Sequence, residues 1–123
     1  MPEIGAAATH THVVTEADTA LALGSGDVPV LGTPKVVALV ERASILAVGD
    51  LPDGETTLGT SIDVRHVAPA PVGAEVVATA ELVGIEGRSL RFRVTLAWGE
   101  RLLASGTHTR VLVDRDRFLA RVR

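Results

Sequence analysis

The stretch Leu31 to Gly49, LGTPKVVALVERASILAVG, constrains this chain more than any other. Thr33 followed by Pro34 reads as an N-cap and first-turn pair: the hydroxyl accepts from an orphan N–H, and the proline forfeits an N–H that had no partner. Gly49 supplies a left-handed stop, with Pro52 just beyond it. Between these signals Val, Ala, Leu and Ile occupy nearly every side, so the helix is expected to be buried. At about 100° per residue, Lys35 and Arg42 fall together on a side that reaches water. Glu41 falls away from them, on the stripe of Val37, Ser44 and Val48, with Thr33 toward the same stripe. A carboxylate there is costly unless it is paired or faces a cavity. Either Glu41 sits at the edge of the buried face with its head in solvent, or it is a catalytic carboxylate.

The rest of the chain must cover that helix. Thr9 to Thr19 alternates loosely as a first strand, with His10 and His12 on one face; without a third ligand at a convincing spacing, no metal site is expected. Ala20 to Leu31 reads as a loop or short lid of small residues, and its Gly24-Ser25-Gly26 lacks the pattern of a phosphate loop. Asp50 to Glu55 is turn chemistry. Four strand-like runs follow: Thr57–Val67, Glu75–Ile85, Arg88–Trp98 and Arg101–Val113. In the first of these, Leu58, Ile62, Val64 and His66 are expected on one face, opposite Ser61, Asp63 and Arg65. In the third, Leu90, Phe92, Val94, Leu96 and Trp98 alternate with polar or small residues. Asp114 to Arg123 is a short basic tail with Phe118, Leu119 and Val122 as anchors. One strand, one buried helix and four strands joined mostly by hairpins predict an α+β domain spanning 1–123, an antiparallel five-stranded sheet wrapped around one long helix, the hot-dog fold.

Bulk properties exclude several classes. A formal net charge of −3 with no basic block before the last ten residues gives no attraction for nucleic acid. The absence of cysteine removes disulfides, thiolate metal sites and a thiol nucleophile. MPEIGAAATH has neither a basic start nor an apolar run, and no stretch approaches the roughly 20 apolar residues of a membrane span. The expectation is a cytoplasmic protein with no membrane partner.

His66 ends its strand on the helix-facing side. A lone histidine on an apolar face is commonly a satisfied core residue, but here the same face meets the helix carrying Thr33 and Glu41. A hydroxyl, a carboxylate and an imidazole converging on one zone is the composition of a nucleophilic or general-base site. Eight residues of helix is roughly 12 Å of rise, so Thr33 and Glu41 of one chain should not touch. A substrate, His66 or a second subunit would lie between them. His108 and Arg110 share a strand face; they read either as contacts to substrate or as a solvated strand edge.

LGTP with VVALVERAS, then GETTLGTSIDVRHVAPAPVG, then SGTHTRVLVDRDRF together resemble the fluoroacetyl-CoA thioesterase-like branch of the hot-dog thioesterases, from about Val30 to Phe118. The resemblance implies catalytic roles for Thr33, Glu41 and His66, an active-site glycine at Gly59, and a substrate-binding Arg110, with His108 beside it. It implies hydrolysis of an acyl-CoA thioester in a homodimer, with coenzyme A as part of the substrate and no separate cofactor. Fluoroacetate-specific members carry phenylalanines in the lid. Here Ala20 to Leu31 has no aromatic residue, so strong fluoroacetyl selectivity is not expected. The rival reading is a non-catalytic acyl-CoA binding module, which would need the pocket but not the three polar residues.

Overall fold

An apolar helix of this length needs cover on most sides, and a curled sheet supplies it. The computed structural model describes residues 1–123. In chain order it contains β1 (Ala7–Val13), a 3₁₀ turn (Glu16–Asp18), α1 (Ala20–Leu23), α2 (Thr33–Val48), β2 (Glu55–His66), β3 (Glu75–Glu86), β4 (Ser89–Trp98), β5 (Arg101–Asp114) and α3 (Arg115–Ala120). The strands form one antiparallel sheet in the order β1-β3-β4-β5-β2, curled around α2 as the sequence predicts. β3, β4 and β5 follow one another through tight turns at Gly87 and Gly99, whose φ angles of 61° and 58° favour glycine. The link from β2 to β3 is not a hairpin. The chain leaves β2 at one edge of the sheet and re-enters in its interior.

The core is the contact between α2 and the inner face of the sheet. Val36, Leu39, Val40, Ala43, Ala47 and Val48 of α2 are buried against Val76, Ala78, Ala80 and Leu82 of β3 and Leu90, Phe92, Val94 and Leu96 of β4. Each such valine or leucine contributes roughly 1.5–3 kcal/mol. Alanines at 78 and 80 leave room for the helix to approach closely. Ser44, also fully buried, is satisfied within the helix by donating to the Val40 carbonyl at 2.8 Å.

Several expectations are corrected. α2 begins one residue earlier than expected: Gly32 is the N-cap, and Thr33 and Pro34 are the first two helical residues. Glycine suits this position because its surroundings are tight. A Cβ would lie 3.0 Å from the Ala20 backbone and 3.1 Å from Leu23 Cδ1. The Thr33 hydroxyl therefore caps nothing. β1 ends at Val13, and the region expected to continue it turns through a capping box between Thr15 and Asp18. The lid is ordered rather than a loose connection. Thr19 caps α1, Gly24 closes it in a left-handed conformation, and Thr19 and Leu31 bridge across its base. In β2 a bulge between Gly59 and Ser61 shifts the register, so Leu58 lies opposite Val111 on the outer face instead of beside Ile62. Trp98, expected inside, is 37% exposed at its strand end, and Val122 is exposed rather than an anchor.

The base of the lid is held by a buried carboxylate. Asp18 Oδ2 accepts from His12 Nε2 at 2.7 Å, from the Thr15 N–H at 2.8 Å and from Thr15 Oγ1 at 3.0 Å. Lys35 Nζ lies 3.5 Å from its other oxygen, and the Asp18 carbonyl accepts the Gly32 N–H at 2.9 Å. Burial alone would raise the Asp18 pKa; the hydrogen bonds from His12 and Thr15, with Lys35 nearby, win and push it down to about 2. Its folded value is below its unfolded one, so the stabilisation is complete above the unfolded pKa and is lost as pH falls toward 2. The gap in melting temperature between wild type and Asp18→Asn is expected to be wide at neutral pH and to narrow progressively below pH ~4. A gap independent of pH, followed by circular dichroism, would contradict this account.

Candidate active site

Two clusters of polar side chains lie on the inner face of the sheet against α2. The first is at the helix N-terminus. Thr33 Oγ1 is 2.9 Å from His66 Nδ1, joining the first residue of α2 to the last residue of β2. With Nδ1 unprotonated, the hydroxyl donates to it, which is the geometry for a base to take that proton. His66 Nε2 is buried without a hydrogen-bond partner. A shallow cavity of about 220 Å³ lined by Val30, His66, Val67, Ala68 and Pro69 adjoins it.

The helix terminus offers fewer donors than its sequence implies. The Gly32 N–H goes to Asp18, Pro34 has none, and the Lys35 and Val36 N–H groups both turn back to the Gly32 carbonyl. The Thr33 N–H is the one left free in the first turn. Together with the helix dipole, it is what the main chain can present to a developing negative charge beside the Thr33 hydroxyl.

The second cluster surrounds Glu41, two turns along α2. Arg110, buried on β5, donates from Nε to Thr57 Oγ1 at 2.9 Å and from Nη2 to the Thr57 carbonyl at 3.1 Å. Its Nη1 lies 3.1 Å from His108 Nε2 and 3.5 Å from Glu41 Oε2. His108 donates from Nδ1 to the Ser61 carbonyl at 2.8 Å, so its Nε2 is the acceptor and the ring is neutral. Burial is the main force holding the His108 pKa below its ordinary value, with Arg110 adding to it against the Ser61 carbonyl and Glu41. Burial also lowers Arg110, against the opposing effect of Glu41. The Glu41 side chain is 37% exposed, at the edge of the buried face, and its head lies against a buried guanidinium. His108 and Arg110, by contrast, are not a solvated strand edge; they are 2% and 5% exposed.

Gly59 is where the bulge in β2 brings backbone closest to this cluster. A Cβ there would sit 2.9 Å from Glu41 Oε2, 3.1 Å from His108 Cε1 and 3.4 Å from Arg110 Nη1. The space it leaves belongs to a cavity of about 230 Å³ lined by Val37, Glu41, Gly59, Thr60, Ser61, Ile62 and His108. Thus Thr33 meets His66, and Glu41 meets Arg110, His108 and Gly59, while the two groups do not touch within one chain. Thr57 was missed from the sequence. The signal was its place two residues before Gly59, which puts it on the same face of the strand.

A five-stranded antiparallel sheet wrapped around one long helix is the hot-dog fold of the thioesterases. The chain matches the model of the fluoroacetyl-CoA-specific thioesterase family over residues 14–116 and belongs to that family. It is an acyl-CoA thioesterase. It is 42% identical over 95 residues, 76% of this chain and 68% of the other, to a fluoroacetyl-CoA thioesterase from Streptantibioticus cattleyicolor. The crystal structure of the fluoroacetyl-CoA thioesterase FlK superposes with a TM-score of 0.92 at 36% identity, covering 100% of this chain and 96% of that one. A Thermus thermophilus thioesterase superfamily member superposes equally well, with a TM-score of 0.92 at 27% identity, covering 100% and 92%.

Thr33→Ala is expected to lose turnover while melting close to wild type, because the hydroxyl has no capping duty. Gly59→Ala is expected to push the Glu41 head aside and to lower kcat on the order of 10²-fold, the scale for ångström misplacement of a catalytic group. Thiol release and melting temperature on the same preparations check both. A Gly59→Ala enzyme with normal kcat would show the cavity to be idle.

Proposed function

We propose that this thioesterase acts on small acyl-CoA substrates without strong preference for fluoroacetyl over acetyl groups, using Thr33 and His66 for proton transfer and Glu41, Gly59, Arg110 and His108 to frame the acyl group. The observation that carries the reading is the 2.9 Å contact between the Thr33 hydroxyl and His66 beside a free N–H of the helix terminus. In this mechanism His66 accepts a proton from the Thr33 hydroxyl or from water as that oxygen attacks the thioester carbonyl. It then returns the proton to the departing CoA thiolate. The Thr33 N–H and the dipole of α2 stabilise the oxyanion. An acyl-threonine, where formed, is cleared by water activated at the same imidazole. Glu41, held in place by Arg110, orients water or the acyl group.

The site is completed, on this reading, by a second copy of the chain. Thr33 and Glu41 are separated by roughly 12 Å of helix rise, and Glu41 and His66 line two different cavities. The outer edge of β2 has no strand beside it and runs past both clusters. Pairing of two such edges would cover exposed backbone and Ile62, and would set the Glu41 cavity of one protomer against the Thr33–His66 pair of the other. Selectivity follows from the lid. Leu21, Leu23 and Val28 are 58%, 43% and 49% exposed, and no aromatic ring closes over the site.

The kcat/KM values for acetyl-CoA and fluoroacetyl-CoA are expected to fall within roughly tenfold of each other, a difference of about 1.4 kcal/mol in transition-state binding. A preference of several orders of magnitude for the fluorinated substrate would overturn the selectivity reading. Glu41→Gln and His66→Ala are each expected to reduce kcat on the order of 10²-fold or more with little change in melting temperature. Light scattering is expected to give twice the chain mass at micromolar concentration; a stable monomer retaining full turnover would contradict the shared site.

A further inference from the structure

The contacts of Arg110 are unequal, and the inequality says which residue governs which. Nε and Nη2 form one edge of the guanidinium fork, and both donate to Thr57. The first reaches its hydroxyl at 2.9 Å and the second its carbonyl at 3.1 Å. The other terminal nitrogen, Nη1, lies 3.1 Å from His108 Nε2 and 3.5 Å from Glu41 Oε2. A guanidinium is rigid and planar, so two bonds from one edge to one residue fix its plane and hence the place of Nη1. The contact with Glu41 is the longest of the set, at the limit of a hydrogen bond. The guanidinium is therefore set from the sheet side, by Thr57 and His108, and Glu41 on α2 meets it where they leave it. Thr57 itself lines neither the cavity at Glu41 nor the one at His66.

We infer that Thr57 is a positioning residue for thioester hydrolysis: by clamping one edge of Arg110 it sets where the Glu41 carboxylate stands, and so the rate of the chemical step rather than the binding of substrate. The inference rests on the role given to Glu41 above and extends it to a residue that acts only through another. Without the hydroxyl, the edge keeps a single bond, from Nη2 to the Thr57 carbonyl, about which the guanidinium can swing. Its Nε would then be a charged donor without an acceptor in a side chain that is 5% exposed, with little water to turn to. Bonds to charged groups are among the stronger ones, so packing at position 57 cannot stand in for the lost acceptor. Nη1 moves with the plane, and Glu41 loses its fixed countercharge. Gly59 lies two residues along the same face of β2 and leaves the space into which the Glu41 head reaches. One face of one strand thus makes room for the carboxylate and aims it.

Two substitutions separate the hydroxyl from the rest of the side chain. Thr57→Val keeps the branched shape that suits a strand and removes the acceptor; Thr57→Ser keeps the acceptor and removes the methyl. Turnover of acetyl-CoA is followed by thiol release and counted per folded molecule, with melting temperature on the same preparations. In Thr57→Val, kcat is expected to fall roughly tenfold or more, toward the ~10²-fold scale for ångström misplacement of a catalytic group. KM is expected to stay near the wild-type value, because the carboxylate acts in the transition state. Thr57→Ser is expected to recover most of kcat. In a Glu41→Gln background, Thr57→Val is expected to cost little more, because the group it acts through is already gone. Normal kcat in Thr57→Val overturns the inference, whatever its melting temperature, and so does a loss confined to KM. A loss that serine does not recover, or one that multiplies with the loss in Glu41→Gln, overturns it as well. The two readings fail differently. An impaired Glu41→Gln beside a normal Thr57→Val removes Thr57 alone, whereas full turnover in Glu41→Gln removes the role of Glu41 and the inference with it.

Discussion

Everything in this fold depends on hiding one apolar helix with a single sheet. A flat sheet covers only one side of a cylinder, so the strands must curl, and three irregularities in register accompany that curl: in β2 at Gly59, in β3 at Leu82 and between β4 and β5 at Leu96. The bulge in β2 has a second effect. By placing an extra residue, Thr60, between Gly59 and Ser61, it turns both Gly59 and Ile62 toward the helix. Curvature demanded by packing thereby opens the recess in which Glu41 ends.

The same packing sets the electrostatics. Arg110 is buried because its strand position faces the helix, and a buried guanidinium must have its donors satisfied. Thr57 takes two of its bonds, His108 a third, and Glu41 supplies the countercharge. His108 in turn is kept neutral by burial and oriented by the Ser61 carbonyl. Glu41 is consequently held from below by a chain of bonds reaching across β5 into β2, while its upper side meets solvent. A carboxylate so anchored keeps its position without being sealed from a ligand.

Much of this was legible from residue order. The helix, the antiparallel sheet and the inward direction of Phe92 and Val94 follow from periods of 3.6 and 2, which burial enforces strongly. The meeting of Thr33 and His66 on one face followed as well. What was not legible came from close approaches between segments distant in sequence. Gly32 rather than Thr33 is the N-cap of α2, packed tightly against Ala20, and no local signal reports that neighbour. The bulge at Gly59 is invisible to a strict two-residue alternation, which is why Leu58 was placed on the wrong face. For His108 the sequence leaves a substrate contact and a solvated strand edge both open, because only the pairing of β5 with β2 brings the Ser61 carbonyl to it.

The way α2 begins has a consequence for how this protein can change. Its start is secured by backbone alone: the Gly32 N–H on Asp18, the Gly32 carbonyl receiving two N–H groups, and Pro34 with its fixed φ. None of these depends on which side chain stands at 33. The start of the helix and the hydroxyl that meets His66 therefore belong to adjacent but separate residues, and the hydroxyl can be exchanged for another group without unravelling the helix that presents it. A terminus built this way is a socket, into which substitution at one position can fit a different chemistry while the sheet around it stays as it is.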